Sequence, residues 1–170
     1  EKNPKDIGKL GAQEVKDSGA MATFLGYGSP PYPDVICISV NDSVQHSVPT
    51  DIPFRNGDIV NFDFGVTYKG LVTDAGVTVC VGGSPTKDSR RLLEGTERAL
   101  HDALAVVKEG AKIGDISATI EKTLKKYRLG IVRELVGHGV GERLHEDPEV
   151  PNYGRAGTGP VLKAGMTLAI

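Results

Sequence analysis

At 170 residues, with 25% charged residues and a net charge of −2, the chain has the size and composition of one globular domain with its own core. A slightly negative chain without a basic stripe excludes nucleic acid and anionic membrane as main partners. Two isolated cysteines, with no signal peptide or long apolar run, predict a reducing, cytoplasmic location without disulfides.

The first half of the chain is predicted to form one helix followed by strands. Apolar spacing predicts a helix over 6–22, and a loop containing Tyr27 and Tyr32 follows it. Strands are predicted where β-branched residues concentrate: 35–40, 59–66 and 71–81. The last two strands should form a hairpin, because a short segment around Tyr68-Lys69-Gly70 separates them.

The second half is predicted to contain two helices and two further strands. One helix is marked by apolar residues at helical spacing and a terminal glycine: Leu93, Leu100, Leu104, Val107 and then Gly110. The second should open with Asp115 as N-cap and close at Gly130. Strands follow over 131–136 and 166–170. These elements predict an α+β class and a single domain over 1–170.

The hairpin places two acidic residues on the same predicted face. Even-numbered residues of its first strand and odd-numbered residues of its second are mostly apolar, so like faces match only if paired residue numbers sum to an odd value. The loop around Tyr68-Lys69 favours a sum of 137, which puts Asp63 directly opposite Asp74. Their Cβ atoms would then be about 4.5–5.5 Å apart, where two carboxylates repel.

The repulsion between two such carboxylates must be offset if the strands are to pair in this way. A shared proton or a lysine would serve, but a divalent cation bound by both carboxylates is the simplest hypothesis; the alternative is a fraying, solvated pair. A bulge at Gly70 would shift the register by one residue and put the two acids on opposite faces.

A second candidate site is the glycine-rich segment 137–148, which contains His138 and His145. Its glycines permit positive φ and close approach of other groups, so an imidazole could reach a metal or a substrate carbonyl. The alternative is a glycine-rich turn with two surface histidines.

The chain also contains a short internal similarity. Residues 55–63 and 163–170 each have a basic residue, a glycine two positions later and then a predicted strand. Superposing Gly57 on Gly165 places the equivalent of Asp63 one position after Ile170. Either a duplication or two unrelated strand-entry turns would explain this pattern.

Together these motifs resemble one family over about 15–170, the type I methionine aminopeptidases with the pita-bread fold. The resemblance rests on the following segments: Leu25-Gly26-Tyr27, Asn41 through His46-Ser47-Val48-Pro49, Gly57-Asp58-Ile59-Val60-Asn61-Phe62-Asp63, the ten-residue gap to Asp74, Gly137-His138-Gly139-Val140-Gly141 with His145-Glu146-Asp147-Pro148, and Gly165-Met166-Thr167. It implies pseudo-twofold halves of antiparallel strands with helices on one face. It also implies removal of the initiator methionine from nascent proteins whose second residue is small.

The resemblance implies roles for individual residues. Asp63, Asp74 and His138 would be ligands of two divalent ions, which could be cobalt, manganese, iron or zinc. His46 would contact the substrate near the scissile amide, and His145 would stabilise the oxyanion. The wall of the methionine pocket would be formed by aromatic, sulfur-bearing and apolar side chains: Phe24, Tyr27, Tyr32, Cys37 and Leu144.

The chain departs from the family pattern in a few places. Ser47 replaces a usual glycine and Asp42 a usual glutamate, and neither change removes a proposed ligand. The family also carries two C-terminal glutamates that complete the metal site, the first expected directly after Ile170. The 170-residue chain is therefore expected to lack the late strands, to hold metal weakly and to be inactive by itself.

Two rival functions remain open. One is an Xaa-Pro aminopeptidase or prolidase of the same fold, which shares the Asp, Asp, His pattern. The other is a non-catalytic pita-bread binding module.

The expected partners of the aminopeptidase are the N-terminal methionine of nascent polypeptides and the ribosome, and the expected state is a monomer without nucleic-acid or membrane contacts.

Overall fold

The computed structural model describes residues 2–170, which divide into two compact units. The first unit runs from the start of the chain to Thr86 and includes Gly141–Leu144. The second comprises Lys87–Val140 and His145–Ile170. The prediction of a single domain stays a prediction.

Helix α1 (Pro4–Asp17) opens the first unit with a reciprocal cap. The Asp6 N–H donates to Asn3 Oδ1 (3.0 Å), and the Asn3 N–H donates to Asp6 Oδ2 (3.3 Å), which satisfies two amides of the first turn. The predicted extension to residue 22 is wrong. Gly19 has φ 68°, which ends the helical path, and strand β1 (Met21–Ala22) follows.

The sheet of the first unit is built around one long strand. Besides β1, the sheet contains β2 (Cys37–Val40), the long strand β3 (Ile59–Tyr68) and β4 (Leu71–Cys80). The other three strands all pair with β3. All pairs are antiparallel, and β4 pairs with β3 along its full length. Because β1 and β2 pair with different parts of β3, both lie on the edge opposite β4.

The hairpin register differs from the predicted one by two residues. Tyr68 pairs with Leu71, so the turn consists of Lys69 (φ 50°) and Gly70 (φ 83°). Two consecutive positive φ values are typical of a type I′ turn, which suits the twist of a hairpin. Paired residue numbers sum to 139, and Asp63 pairs with Gly76 while Asp74 pairs with Gly65. The direct pairing of the two aspartates is therefore wrong. Because the sum is still odd, the predicted faces are retained.

Helix α1 packs on the apolar face of this sheet. The buried core contains Val35, Ile36, Ile38 and Val60, with Ile7 of α1 packed against it. Gly11 faces this sheet, since an added Cβ would make ordinary van der Waals contact with Val35 (3.6 Å) and the Phe64 ring (3.7 Å). The odd-numbered face of β3, which carries Asp63, therefore points away from α1.

The second unit contains helices α2 (Lys87–Leu104) and α3 (Ile113–Lys126). Val107, predicted within the first of these helices, lies beyond its end. The buried residues of α2 are small, namely Gly95, Ala99 and Ala103. A Cβ at Gly95 would lie only 2.6 Å from Leu129, so the glycine allows the segment that contains Leu129 to pack closely against α2.

Both predicted ends of α3 need correction. Asp115 lies inside the helix, where its Oδ2 accepts the Lys112 N–H (2.9 Å) and its Oδ1 accepts the Gly157 N–H (2.7 Å). The helix ends at Lys126, before Gly130, because Arg128 takes a left-handed conformation (φ 55°).

A three-stranded antiparallel sheet completes the second unit. It has β5 (Val136–Gly139) between β6 (Glu146–Pro151) and β7 (Leu168–Ala169). The predicted strand over 131–136 is wrong, because the strand begins where that prediction ends. The predicted strand over 166–170 is confirmed for two residues.

The glycines of β5 do not use positive φ, contrary to expectation. A Cβ on Gly137 would overlap the carbonyl oxygen of Ala169 in β7, and one on Gly139 would overlap that of Asp147 in β6. These glycines are required because neighbouring backbone approaches on both sides, which leaves no room for a side chain.

The internal similarity is visible in local geometry. Gly57 and Gly165 both have φ 90°. The Asp58 N–H donates to Arg55 O (3.1 Å), and the Met166 N–H donates to Lys163 O (3.2 Å). Both segments thus form the same glycine-containing turn, typical of type II, before a strand. Within the described residues, no helix combines the length and apolar character needed to cross a bilayer.

Asp115→Asn is expected to lower the melting temperature of the protein at neutral pH. Hydrogen bonds from the backbone of Lys112 and then of Gly157 hold the pKa of the Asp115 carboxyl below its usual value. A group with a lowered folded-state pKa stabilises the protein above its unfolded pKa of about 3.9, and this contribution is lost as pH falls further. Thermal unfolding followed by circular dichroism measures the melting temperatures of the variant and the wild type. Their difference should be present at neutral pH and should shrink at acidic pH.

The matched control is Asp88→Asn, since Asp88 bonds only an exposed arginine on α2 and its side chain is 86% exposed. Equal melting temperatures for the two variants at pH 7 would contradict the assigned role of Asp115.

Candidate functional site

Asp63 and Asp74 share one face of the first unit's sheet. They are diagonal neighbours on β3 and β4, since Asp63 pairs with Gly76 and Asp74 with Gly65. Diagonal positions are about 7–8 Å apart, which reduces the direct repulsion expected from facing carboxylates. Metal–oxygen bonds are about 2 Å long, so carboxylates at this spacing can reach toward cations bound between them.

Cys37 lies beside the acidic pair. It pairs with Asp63 across β2 and β3, so its side chain is on the same face, and the residue is only 4% exposed. Burial raises the pKa of the Cys37 thiol to about 11; a hydrogen bond with Tyr32 opposes this rise, and the charges of Asp63 and Asp74 add to it. The thiol is therefore neutral at pH 7 and lies in a region of negative potential, which attracts cations.

Tyr32 ties the loop after β1 to the chain after β2. Its hydroxyl oxygen lies 2.9 Å from the carbonyl oxygen of Ser47 and 3.1 Å from that of Ile36, and the two carbonyls share its single proton as acceptors. Burial raises the pKa of Tyr32, with smaller contributions from Cys37, Asp34 and Asp63. The phenol is thus a neutral hydrogen-bonding group next to Cys37.

Phe24 covers the middle of the acidic face. A Cβ on Gly65 would lie 2.5 Å from the Phe24 ring, so the ring packs directly on Gly65, the residue opposite Asp74. The loop that follows is closed by backbone bonds from Tyr27 to Phe24 (2.9 Å) and from Tyr32 to Tyr27 (2.8 Å). Tyr27 itself is 46% exposed. An aromatic wall and two carboxylates therefore share one side of the sheet.

His46 belongs to the same unit and is exposed, with φ 56°. Its neighbour Gln45 also has positive φ (42°), and the Gln45 side-chain Nε2 donates to Asp63 Oδ2 at 2.7 Å. Residue patterns did not predict the contribution of Gln45. Its position next to His46 was the only signal that could have drawn attention to it.

The other two candidate histidines lie in the second unit and contact each other. The rings of His138 and His145 have centroids 4.4 Å apart and meet edge to face at 66°. His138 Nδ1 lies 2.9 Å from the carbonyl oxygen of Gly139. Because a carbonyl can only accept, Nδ1 carries the proton, which gives the neutral ring its lone pair on Nε2, the form suited to metal binding.

The structure therefore groups the predicted site residues by unit. The first unit brings together a set on or beside the acidic face: Phe24, Tyr32, Cys37, Asp63 and Asp74. Leu144 belongs to the first unit and is buried (6% exposed). Over residues 2–170, no group of three or more histidine, cysteine, aspartate or glutamate side chains has a ready metal-binding arrangement. The assignment of these residues to a site stays a prediction.

Comparisons with known proteins agree with the fold and the motifs. The model of metallopeptidase family M24 matches residues 8–170. The chain is 38% identical to methionine aminopeptidase 1 of Bacillus subtilis over 98% of its length, and it spans 66% of that relative. It is likewise 38% identical to the methionine aminopeptidase of Aquifex aeolicus, covering 97% of this chain and 66% of that relative.

Solved structures show the same similarity. A methionine aminopeptidase of Thermotoga maritima superposes with a TM-score of 0.94 at 40% identity, covering 98% of this chain and 66% of that one. A prolidase of Pyrococcus furiosus superposes with a TM-score of 0.79 at 24% identity, covering 98% of this chain and 46% of that one, and shows the fold alone. The predicted α+β pita-bread fold is confirmed. The chain belongs to metallopeptidase family M24.

Proposed function

We propose that the protein is a methionine aminopeptidase that removes the initiator methionine from polypeptides with a small second residue. The observation that carries this proposal is the shared face of Asp63 and Asp74, with the Phe24 ring packed beside them on Gly65. Similarity to methionine aminopeptidases at 38–40% identity supports it. The chain spans just under two thirds of these relatives, so the activity is proposed for the whole protein.

Asp63, Asp74 and His138 are proposed to hold two divalent metal ions. Carboxylate oxygens and a neutral imidazole fit manganese, iron, cobalt or zinc. Two such ions, when bound, acidify a coordinated water and polarise the peptide carbonyl. The two carboxylates supply negative charge, and the hydrogen bond of His138 Nδ1 to Gly139 fixes the ring with its Nε2 lone pair available for coordination.

The remaining site residues are proposed to handle the substrate. His46 would contact the substrate near the scissile amide, and His145 would stabilise negative charge on the carbonyl oxygen. The methionine side chain would contact an apolar and aromatic wall: Phe24, Tyr27, Tyr32, Cys37 and Leu144. The neutral Cys37 thiol suits this role, because an ionised thiolate would be a poor neighbour for a thioether.

The partner and location follow from the substrate. Nascent polypeptides emerge at the ribosome, so we propose that the protein works there, in the cytoplasm. We also propose that it is a monomer.

Peptide selectivity tests the proposed activity. With Mn²⁺ supplied, the whole protein should release methionine from Met-Ala-Ser and leave Ala-Pro-Ser intact. An apolar pocket that accepts a methionine side chain loses binding energy with alanine, by about 2 kcal/mol or more. Free amino acids are quantified by chromatography. Preferential cleavage of Ala-Pro-Ser would assign an Xaa-Pro peptidase, and cleavage of neither peptide would assign a binding module.

A further inference from the structure

The hydrogen bond between Gln45 and Asp63 joins a loop to the acidic face. Gln45 Nε2 lies 2.7 Å from Asp63 Oδ2, and the two residues are 18 positions apart in the chain. Asp63 is only 8% exposed, so little water competes for its carboxylate. A hydrogen bond to an ionised acceptor is stronger than one between neutral groups.

The loop holds Gln45 in place at a conformational cost. Gln45 (φ 42°) and His46 (φ 56°) are consecutive non-glycine residues in the left-handed region, which is disfavoured for residues with a Cβ. The next residue is anchored twice, because Ser47 O accepts the Ile38 N–H (3.0 Å) and the Tyr32 hydroxyl (2.9 Å). The surrounding bonds thus sustain the conformation that directs the Gln45 amide to Asp63.

This bond leaves Asp63 able to bind a cation. An ionised carboxylate offers about four lone-pair sites, and one donated hydrogen bond occupies only one of them. Outer hydrogen bonds to a ligating carboxylate fix its orientation. We propose that Gln45 is a positioning residue that holds the Asp63 carboxylate in its metal-binding orientation. This inference rests on the proposed role of Asp63 as a ligand.

The test compares Gln45→Met with Gln13→Met in the whole protein. Methionine keeps the length and unbranched shape of glutamine and removes the donor. Gln13 is the matched control, because its Nε2 also donates to an aspartate, Asp17, at 2.7 Å, but both residues lie exposed on α1. Isothermal calorimetry with Mn²⁺ should show about 10- to 100-fold weaker binding for Gln45→Met and unchanged binding for Gln13→Met.

Kinetics provide a second measurement. At saturating Mn²⁺, the Gln45→Met variant should recover most of its kcat with an unchanged KM for Met-Ala-Ser, because the lost affinity concerns the metal. If Gln45→Met fails to fold, Gln45→Asn replaces it, since asparagine tolerates positive φ and its shorter side chain cannot reach Asp63. The same loss of Mn²⁺ affinity is expected.

An Asp63→Asn variant separates the two proposals. If wild type and Asp63→Asn bind Mn²⁺ equally, or neither binds it, the proposed metal site fails and the role of Gln45 fails with it. If Asp63→Asn loses binding while Gln45→Met binds like Gln13→Met, the metal site stands and the positioning role of Gln45 is overturned.

Discussion

Asp74→Asn is expected to abolish methionine release by the whole protein, with kcat/KM falling by about 1,000-fold or more. The substitution keeps the size of the side chain and removes its charge from the face that Asp74 shares with Asp63. The proposed pair of metal ions would supply several kcal/mol of charge stabilisation in the transition state, and about 4 kcal/mol corresponds to a thousandfold change in rate. Hydrolysis of Met-Ala-Ser at saturating Mn²⁺ measures the loss, and elemental analysis measures bound metal.

Asp51→Asn is the charge-matched control, because Asp51 is an exposed residue of the same unit whose side chain is 79% exposed and faces Lys5 at 3.5 Å. It should retain wild-type turnover and metal content. Near-normal activity of Asp74→Asn with Mn²⁺ supplied would overturn the assignment of Asp74 as a ligand.

Gly139→Ala is expected to destabilise the protein by about 3 kcal/mol or more. The new Cβ would overlap the backbone carbonyl oxygen of Asp147, so β5 and β6 would have to separate at the point where their register shifts. Backbone cannot move aside as a flexible side chain can, and strain of this kind belongs to the severe class of single substitutions. Urea unfolding followed by circular dichroism measures the change in the free energy of unfolding.

Gly130→Ala in the same unit is the matched control. An added Cβ at Gly130 meets nothing within 4 Å, and its φ is not positive. This substitution should leave stability unchanged or raise it by about 0.4–1 kcal/mol, because alanine restricts the unfolded chain. Equal stabilities of the two variants would show that β5 tolerates a side chain at position 139.

The hairpin shows how far residue patterns predict a site. Alternation of apolar residues correctly assigned Asp63 and Asp74 to one face, because side chains alternate strictly along a strand. It did not determine which residues pair. Sums of 137 and 139 both satisfy the alternation, and the two-residue turn at Lys69-Gly70 selects the second.

The glycine-rich segment shows a different limit. Its motif correctly marked glycines that other groups approach closely, whereas the expected positive φ was wrong. Gly137 and Gly139 admit the carbonyl groups of β7 and β6, whose residues lie up to 32 positions away along the chain. The local sequence pattern does not indicate which distant strand will pack against these glycines.

The sequence by itself determined the fold family, the face of the two aspartates and the turn before each of β3 and β7. The face of the aspartates and the two turns depend on side-chain alternation and on glycine conformation, which are local properties. The fold family was identified by the resemblance of the combined motifs to a known family. Only the tertiary structure decided the hairpin register, which strands approach the β5 glycines and the bond from Gln45 to Asp63. Each of these is a contact between segments distant in the chain, where packing and hydrogen bonding select one arrangement among several that the local sequence allows.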